Sequence, residues 1–163
     1  MKKFLAICLA FLLFSAVSCE REKKYHPESG EYLLRCTVDN VIYELSAVIS
    51  DDLSCKITFD KDSALSDWYY AYDHGSGAIK YRTSLGEERD ADNDRIRMIF
   101  ELLLGESGVI SDVSDDTLDG HRVSVLVISD GRKIYEDPDS GRPLCLVYED
   151  MKVDIVSFPS KGS

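Results

Sequence analysis

Four acidic residues stand at a spacing that could grip a hard cation. Asp90, Asp92, Asp94 and Glu101 match the ligand positions of the calcium loop D-x-[DN]-x-[DN]-G-x5-E. That loop needs glycine for its sharp turn, and Arg95 occupies the position here. Arg95 to Leu104 also reads as one continuous helix, which would draw Glu101 away from the aspartates. An acidic helix N-terminus, favoured by the helix dipole, accounts for the run without a metal. The acidic stretch from Asp112 to Asp119 reads as a solvated loop. His26, His74 and His121 fall before the first strand, in a turn and at a strand start, and read as surface residues. A G-x-S-x-G elbow, a phosphate-cradling loop, an H-E-x-x-H helix and C-x-x-C pairs are all absent from the sequence. The reading is therefore non-enzymatic, with no cofactor and no metal.

Aromatic residues are the better candidates for binding. Trp68, Tyr70 and Tyr72 share one face of a strand, and Ile79 and Tyr81 share a face of the next. Ile99, Phe100 and Leu103 lie on one side of the helix. An incompletely filled space between a curved sheet and that helix would form a concave apolar pocket. The same residues could equally fill an ordinary core.

One cysteine has a different chemistry open to it. Lys2 and Lys3 precede an apolar run from Phe4 to Phe14, and small residues follow. This is the layout of an export signal, and the run is shorter than the roughly 20 residues of a spanning helix. Ala16-Val17-Ser18-Cys19 resembles the bacterial lipobox, with alanine where leucine is usual. The resemblance implies that residues 1–18 are a lipoprotein signal peptide and that Cys19 carries the lipid. The chain would then sit in the cell membrane by its lipid anchor, on the extracytoplasmic face. An ordinary secretory signal with Cys19 incidental is the alternative. Residues 19–30 are polar enough for a tether.

Removing residues 1–18 leaves 145 residues, enough for one domain with its own core. It also removes Lys2 and Lys3, leaving 17 basic against 30 acidic residues, a net charge of −13. Nucleic acid and anionic headgroups both call for clustered Lys and Arg, so neither is an expected partner. Cys36, Cys55 and Cys145 sit in apolar, strand-like settings and read as buried free thiols.

The elements that must position these groups are mostly strands. Glu31–Val38 and Val41 onward form a hairpin about Asp39-Asn40, pairing Val38 with Val41 and Cys36 with Tyr43. A three-residue turn at Ser50-Asp51-Asp52 would pair Ile49 with Leu53 and Ala47 with Cys55, keeping the apolar faces together. Further strands are read at Trp68–Asp73 and Ala78–Thr83, with Gly86 to Asp92 a charged loop. Asp94–Leu104 is the one convincing helix, capped by Asp92, Asn93 or Asp94 and ended by Gly105. A short strand at Val109–Val113 precedes the acidic loop, and four strands close the chain between His121 and Phe158. The total is about nine to ten antiparallel strands with one main helix, an α+β fold.

That order resembles the bacterial lipoprotein-carrier superfamily (LolA/LolB-like). The stretches that carry the likeness are Ile57 to Tyr69, Arg95 to Leu104, and Asp137 to Leu144 with the two closing strands. The resemblance implies one β-rich domain over residues 31–158, with residues 159–163 a tail. Its sheet would be curved, an open half-barrel, with the helix on the concave face. It further implies that Trp68, Tyr70, Tyr72, Ile79, Tyr81, Ile99, Phe100 and Leu103 line a cavity for a lipid or lipidated ligand. The family's extra N-terminal helix has no counterpart between Cys19 and Gly30. The expected function is a membrane-anchored lipoprotein that binds lipid without catalysis. The alternative is a lipoprotein with a filled core, acting through its acidic exterior as an interaction or structural module.

Overall fold

The computed structural model describes residues 25–106 and 108–159. Residues 1–24, 107 and 160–163 lie outside them, and with them the expected signal peptide and Cys19. Eleven strands form a single curved, open antiparallel sheet with one helix, an α+β architecture. The strands are β1 (Gly30–Val38), β2 (Val41–Ile49), β3 (Cys55–Phe59), β4 (Tyr69–Asp73), β5 (Ala78–Arg82) and β6 (Glu88–Asp90), then, after the helix, β7 (Ile110–Leu118), β8 (His121–Ile128), β9 (Lys133–Glu136), β10 (Pro143–Tyr148) and β11 (Met151–Ser157). Their spatial order is β6-β5-β4-β3-β2-β1-β11-β10-β9-β8-β7. The first and last strands thus pair in the middle, Cys36 against Val153, and β6 and β7 form the two edges.

The β1–β2 hairpin follows its sequence. Asp39 and Asn40 both take positive φ, 50° and 64°, as a two-residue turn matched to strand twist requires. Val38 pairs with Val41 and Cys36 with Tyr43. Tyr32, Leu34 and Cys36 are buried on one face with Leu45, Ala47 and Ile49. The next connection corrects the expected register. Ile49 pairs with Cys55 and Ala47 with Ile57, two residues further along than a three-residue turn would give. The cause is local. Leu53 takes φ 65° and its N–H donates to Ser50 O, while Ser50 N–H donates to Ser54 O. The loop thus runs from Ser50 to Ser54, and an even shift leaves the inward face unchanged.

Two further corrections concern the edges. Glu88–Asp90, read as loop, forms β6 against β5. Ser114 to Leu118, read as the start of an acidic loop, continues β7 to nine residues. Neither stretch carries an alternating apolar face, so period-2 patterning could not find them.

The helix, α1 (Asp94–Leu104), starts and stops where its caps dictate. The Asn93 side chain accepts from Ile96 N–H at 3.2 Å. Gly105, φ 64°, donates to Leu102 O, and Glu106 N–H donates to Glu101 O, a Schellman ending. Ile99, Phe100, Leu102, Leu103 and Leu104 are all buried against the inner face of the sheet. Each side chain of this size contributes about 1.5–3 kcal/mol when fully buried. No helix among the described residues is long and apolar enough to cross a membrane.

Tyr25 docks the segment that precedes β1. The Tyr25 ring is buried, its hydroxyl lies 3.3 Å from that of Tyr32, and it donates to Leu103 O at 3.4 Å. Tyr32 Oη in turn donates to Glu28 O and accepts from Glu28 N–H. Tyr25 and Glu28 therefore hold this stretch at the seam between β1 and α1, with His26 and Ser29 exposed.

Candidate functional site

The inner face carries a row of aromatic rings across four neighbouring strands. Tyr43 of β2 meets Phe59 of β3 edge-on at 6.3 Å between centroids. Phe59 meets Tyr70 of β4 at 6.5 Å, and Tyr70 meets Tyr81 of β5 at 6.2 Å. Tyr70 pairs directly with Tyr81 in the β4–β5 ladder. The row ends at an open cleft of about 190 Å³, lined by Tyr70, Tyr81, Asp90, Ala91, Asp92 and Asn93. Drug-sized ligand pockets run from about 300 to 1,000 Å³, so this cleft suits a small group or a single side chain.

The residues named from sequence separate into three environments. Tyr70 and Tyr81 line the cleft. Ile79, Ile99, Phe100 and Leu103 are buried at 3% exposure or less, within the common core. Tyr72 stacks on Phe100 at 5.4 Å, closing the gap between sheet and helix at that point. Trp68 sits just before β4, half-buried. Asp90, Ala91, Asp92 and Asn93 complete the cleft. Their place beside the tyrosines depends on β6, which had no sequence signal.

Burial raises the phenol pKa of Tyr70 and Tyr72 above its ordinary value. For Tyr70 the neighbouring Tyr81 adds to this, and for Tyr72 the Glu106 carboxylate does. Both rings are neutral at ordinary pH and offer an apolar body with a polar tip. His74, in the β4–β5 turn, meets Tyr72 edge-on at 6.3 Å. Its Nδ1 is enclosed, 3.9 Å from Glu106 Oε1, with no hydrogen bond.

Glu101 is held elsewhere than the calcium pattern would need. Its carboxylate accepts from Arg132 Nη1, and Arg132 Nε donates to Asp130 Oδ2 at 2.7 Å. Arg132 is 6% exposed and ties α1 to the β8–β9 turn. Sequence reading passed over this residue, because an arginine after Asp130-Gly131 looks like any solvated turn cation. No group of three or more potential metal ligands occurs among the described residues.

The three thiols share a different environment. Burial pushes Cys36 up to about 11, and Cys55 and Cys145 up to about 12. All three are free and buried. Cys36 pairs with Tyr43 and Cys55 with Ile49, so six residues of β2 separate them, roughly 20 Å. Thiolate nucleophiles need the opposite shift. No family model matches this chain, and no curated protein is similar to it.

Proposed function

We propose that this protein is a membrane-anchored extracytoplasmic lipoprotein whose domain is a non-enzymatic interaction module with a filled core. The observation that carries this is the helix. α1 occupies the inner face of the sheet with Ile99, Phe100, Leu102, Leu103 and Leu104, each 2% exposed or less. A cleft of about 190 Å³ beside Tyr70 and Tyr81 does not accommodate a two-chain lipid. Recognition then falls to the exterior, which carries the acidic excess, and to the aromatic, carboxylate-rimmed cleft.

The docked N-terminal segment supports a close-held domain. With lipid on Cys19 and Tyr25 fixed at the β1–α1 seam, five residues lie between them. Even fully extended they reach roughly 20 Å. The module would stand directly on its membrane and meet partners there.

The lipid-carrier reading keeps one observation in its favour. The aromatic row from Tyr43 to Tyr81 runs over the inner face toward the cleft, and an outward swing of α1 would lengthen it into a groove. Native mass spectrometry of the full chain, extracted from its own membranes, separates the two. The filled-core module carries no non-covalent lipid, whereas a stoichiometric adduct would replace it with the carrier. Membrane fractionation of Cys19→Ala tests the anchor: release from membranes is expected, and full retention would refute it.

A further inference from the structure

The edge strand β7 has chemistry that the proposed function does not use. Asp119 and Gly120, φ 52° and 82°, join β7 to β8 in a two-residue turn with Leu118 paired to His121. The residues that close such a turn exchange both backbone hydrogen bonds, and the ladder then alternates. Asp116 with Val123 and Ser114 with Val125 are therefore bonded pairs. Val113, Asp115 and Thr117 point their N–H and C=O groups away from β8, toward the open side of the sheet. β7 is the last strand on that side, and every residue from Ser111 to Thr117 is exposed. A free row of this length is a template for another strand.

Two of its three outward donors are already occupied. Val113 N–H donates to Asp112 Oδ1 at 2.9 Å, and Thr117 N–H donates to Asp116 Oδ1 at 2.7 Å. Each carboxylate comes from the preceding residue, so the strand caps its own edge. The third donor belongs to Asp115, whose carboxylate pairs with Arg122 of β8 at 3.1 Å.

The same row is self-complementary under a two-fold axis. Centred on Asp115, an antiparallel pairing of two β7 edges sets Val113 against Thr117 of the second copy, and Thr117 against its Val113. Both are β-branched residues that favour cross-strand packing. The axis also sets Asp115 against its own counterpart, a like-charge contact that disfavours pairing. The opposite edge needs no such device, because β6 has three residues.

We propose that the β7 edge is a self-association surface for a second copy of this chain, kept closed by Asp112 and Asp116 on the outward N–H groups of Val113 and Thr117. The caps hold the protein apart along this edge, and losing them opens it.

Sedimentation equilibrium of the full chain in density-matched detergent reads the outcome as protein mass. The double variant D112A/D116A should double in mass relative to the parent. D112N/D116N loses the same charge but keeps an amide oxygen that can cap, and it should stay at the parent mass. D51A/D67A, with the same charge loss in exposed loops, should also stay there. Adding Thr117→Pro to D112A/D116A removes an outward N–H from an edge strand that tolerates proline, and should restore the parent mass. A D112A/D116A chain at parent mass with native circular dichroism would overturn the proposal. So would association that survives Thr117→Pro, or a D112N/D116N chain that doubles like the alanine variant.

Discussion

The hairpins β1–β2 and β7–β8 turn the same way and are built on opposite principles. Both reverse through two residues of positive φ, Asp39-Asn40 in one and Asp119-Gly120 in the other. In β1, Tyr32, Leu34 and Cys36 alternate with exposed residues and are buried. In β7 no residue is buried, and the strand is held by its ladder to β8. Apolar burial therefore specifies the first hairpin residue by residue, whereas turn geometry and backbone pairing specify the second. The difference shows that a strand can be well formed and carry no periodic signal of its own.

This contrast is sharpest under core truncation. Leu34 of β1 is fully buried in the common core, paired with Leu45 of β2 and Ile155 of β11. Leu34→Ala should cost about 2–5 kcal/mol through lost transfer energy and a residual cavity. Val113, the large apolar residue of mid-β7, is 51% exposed. Val113→Ala should change stability by no more than about 0.5 kcal/mol. Urea unfolding of both variants measures the pair, and similar losses would mean that β7 has a buried partner.

What was legible in the sequence divides along the same line. The β1–β2 register was readable because one slip would have buried Arg35 and Glu44, which pair on the outer face. α1 was readable from its apolar spacing and from Gly105 at its end. The β2–β3 register was not, because shifts of one turn type to another by two residues preserve the apolar face. β6 and most of β7 were hidden because charged side chains on an edge strand look like loop. The cleft was half legible: Tyr70 and Tyr81 carry a face pattern, but Asp90 to Asn93 reach them only through β6. Arg132 was illegible because its burial depends on Glu101 arriving from a distant helix.

The turns themselves give the next contrast. Gly120 has open space around its missing Cβ, so Gly120→Ala meets no clash and tests the backbone alone. Forcing an alanine into φ 82° should cost about 1–2 kcal/mol. Asn40→Gly in the other turn, φ 64°, should be neutral or slightly stabilising, since glycine adopts that region freely. If Gly120→Ala costs nothing, the ladder and not the turn sets the β7–β8 register.

Buried thiols distinguish the well-packed region by pH. Cys36 and Cys55 lie on β1 and β3, and Cys145 on β10. Their folded values, about 11 to about 12, exceed the ordinary thiol value of about 8.5. The unfolded chain therefore loses these protons first as pH rises. Stability should be independent of these groups below about pH 8 and should fall steadily above about pH 9. Replacing all three with alanine in the full chain should flatten that alkaline limb, at the cost of cavities. An unchanged limb would assign it to other groups. In the folded protein these thiols should also resist alkylation until denaturant is added.

The smallest effect concerns a turn held by a side chain rather than by positive φ alone. Between β9 and β10, Asp137 Oδ1 accepts from the Ser140 hydroxyl at 2.7 Å and from its N–H at 2.8 Å. The Ser140 hydroxyl is the larger cause of a carboxyl pKa below the usual value, followed by the backbone bond. A lowered folded pKa means the unfolded chain takes up the proton first. The contribution is therefore present above the unfolded value of about 3.9 and is lost as pH falls through the folded one. The site is exposed, so solvent screening holds the effect below about 1 kcal/mol. Asp137→Asn should show that loss at neutral pH and converge with the parent chain in acid, once the pH has fallen below the folded value. Thermal melts at the two pH values decide the point: a deficit that persists in acid would show that the turn depends on the shape of Asp137 and not on its charge.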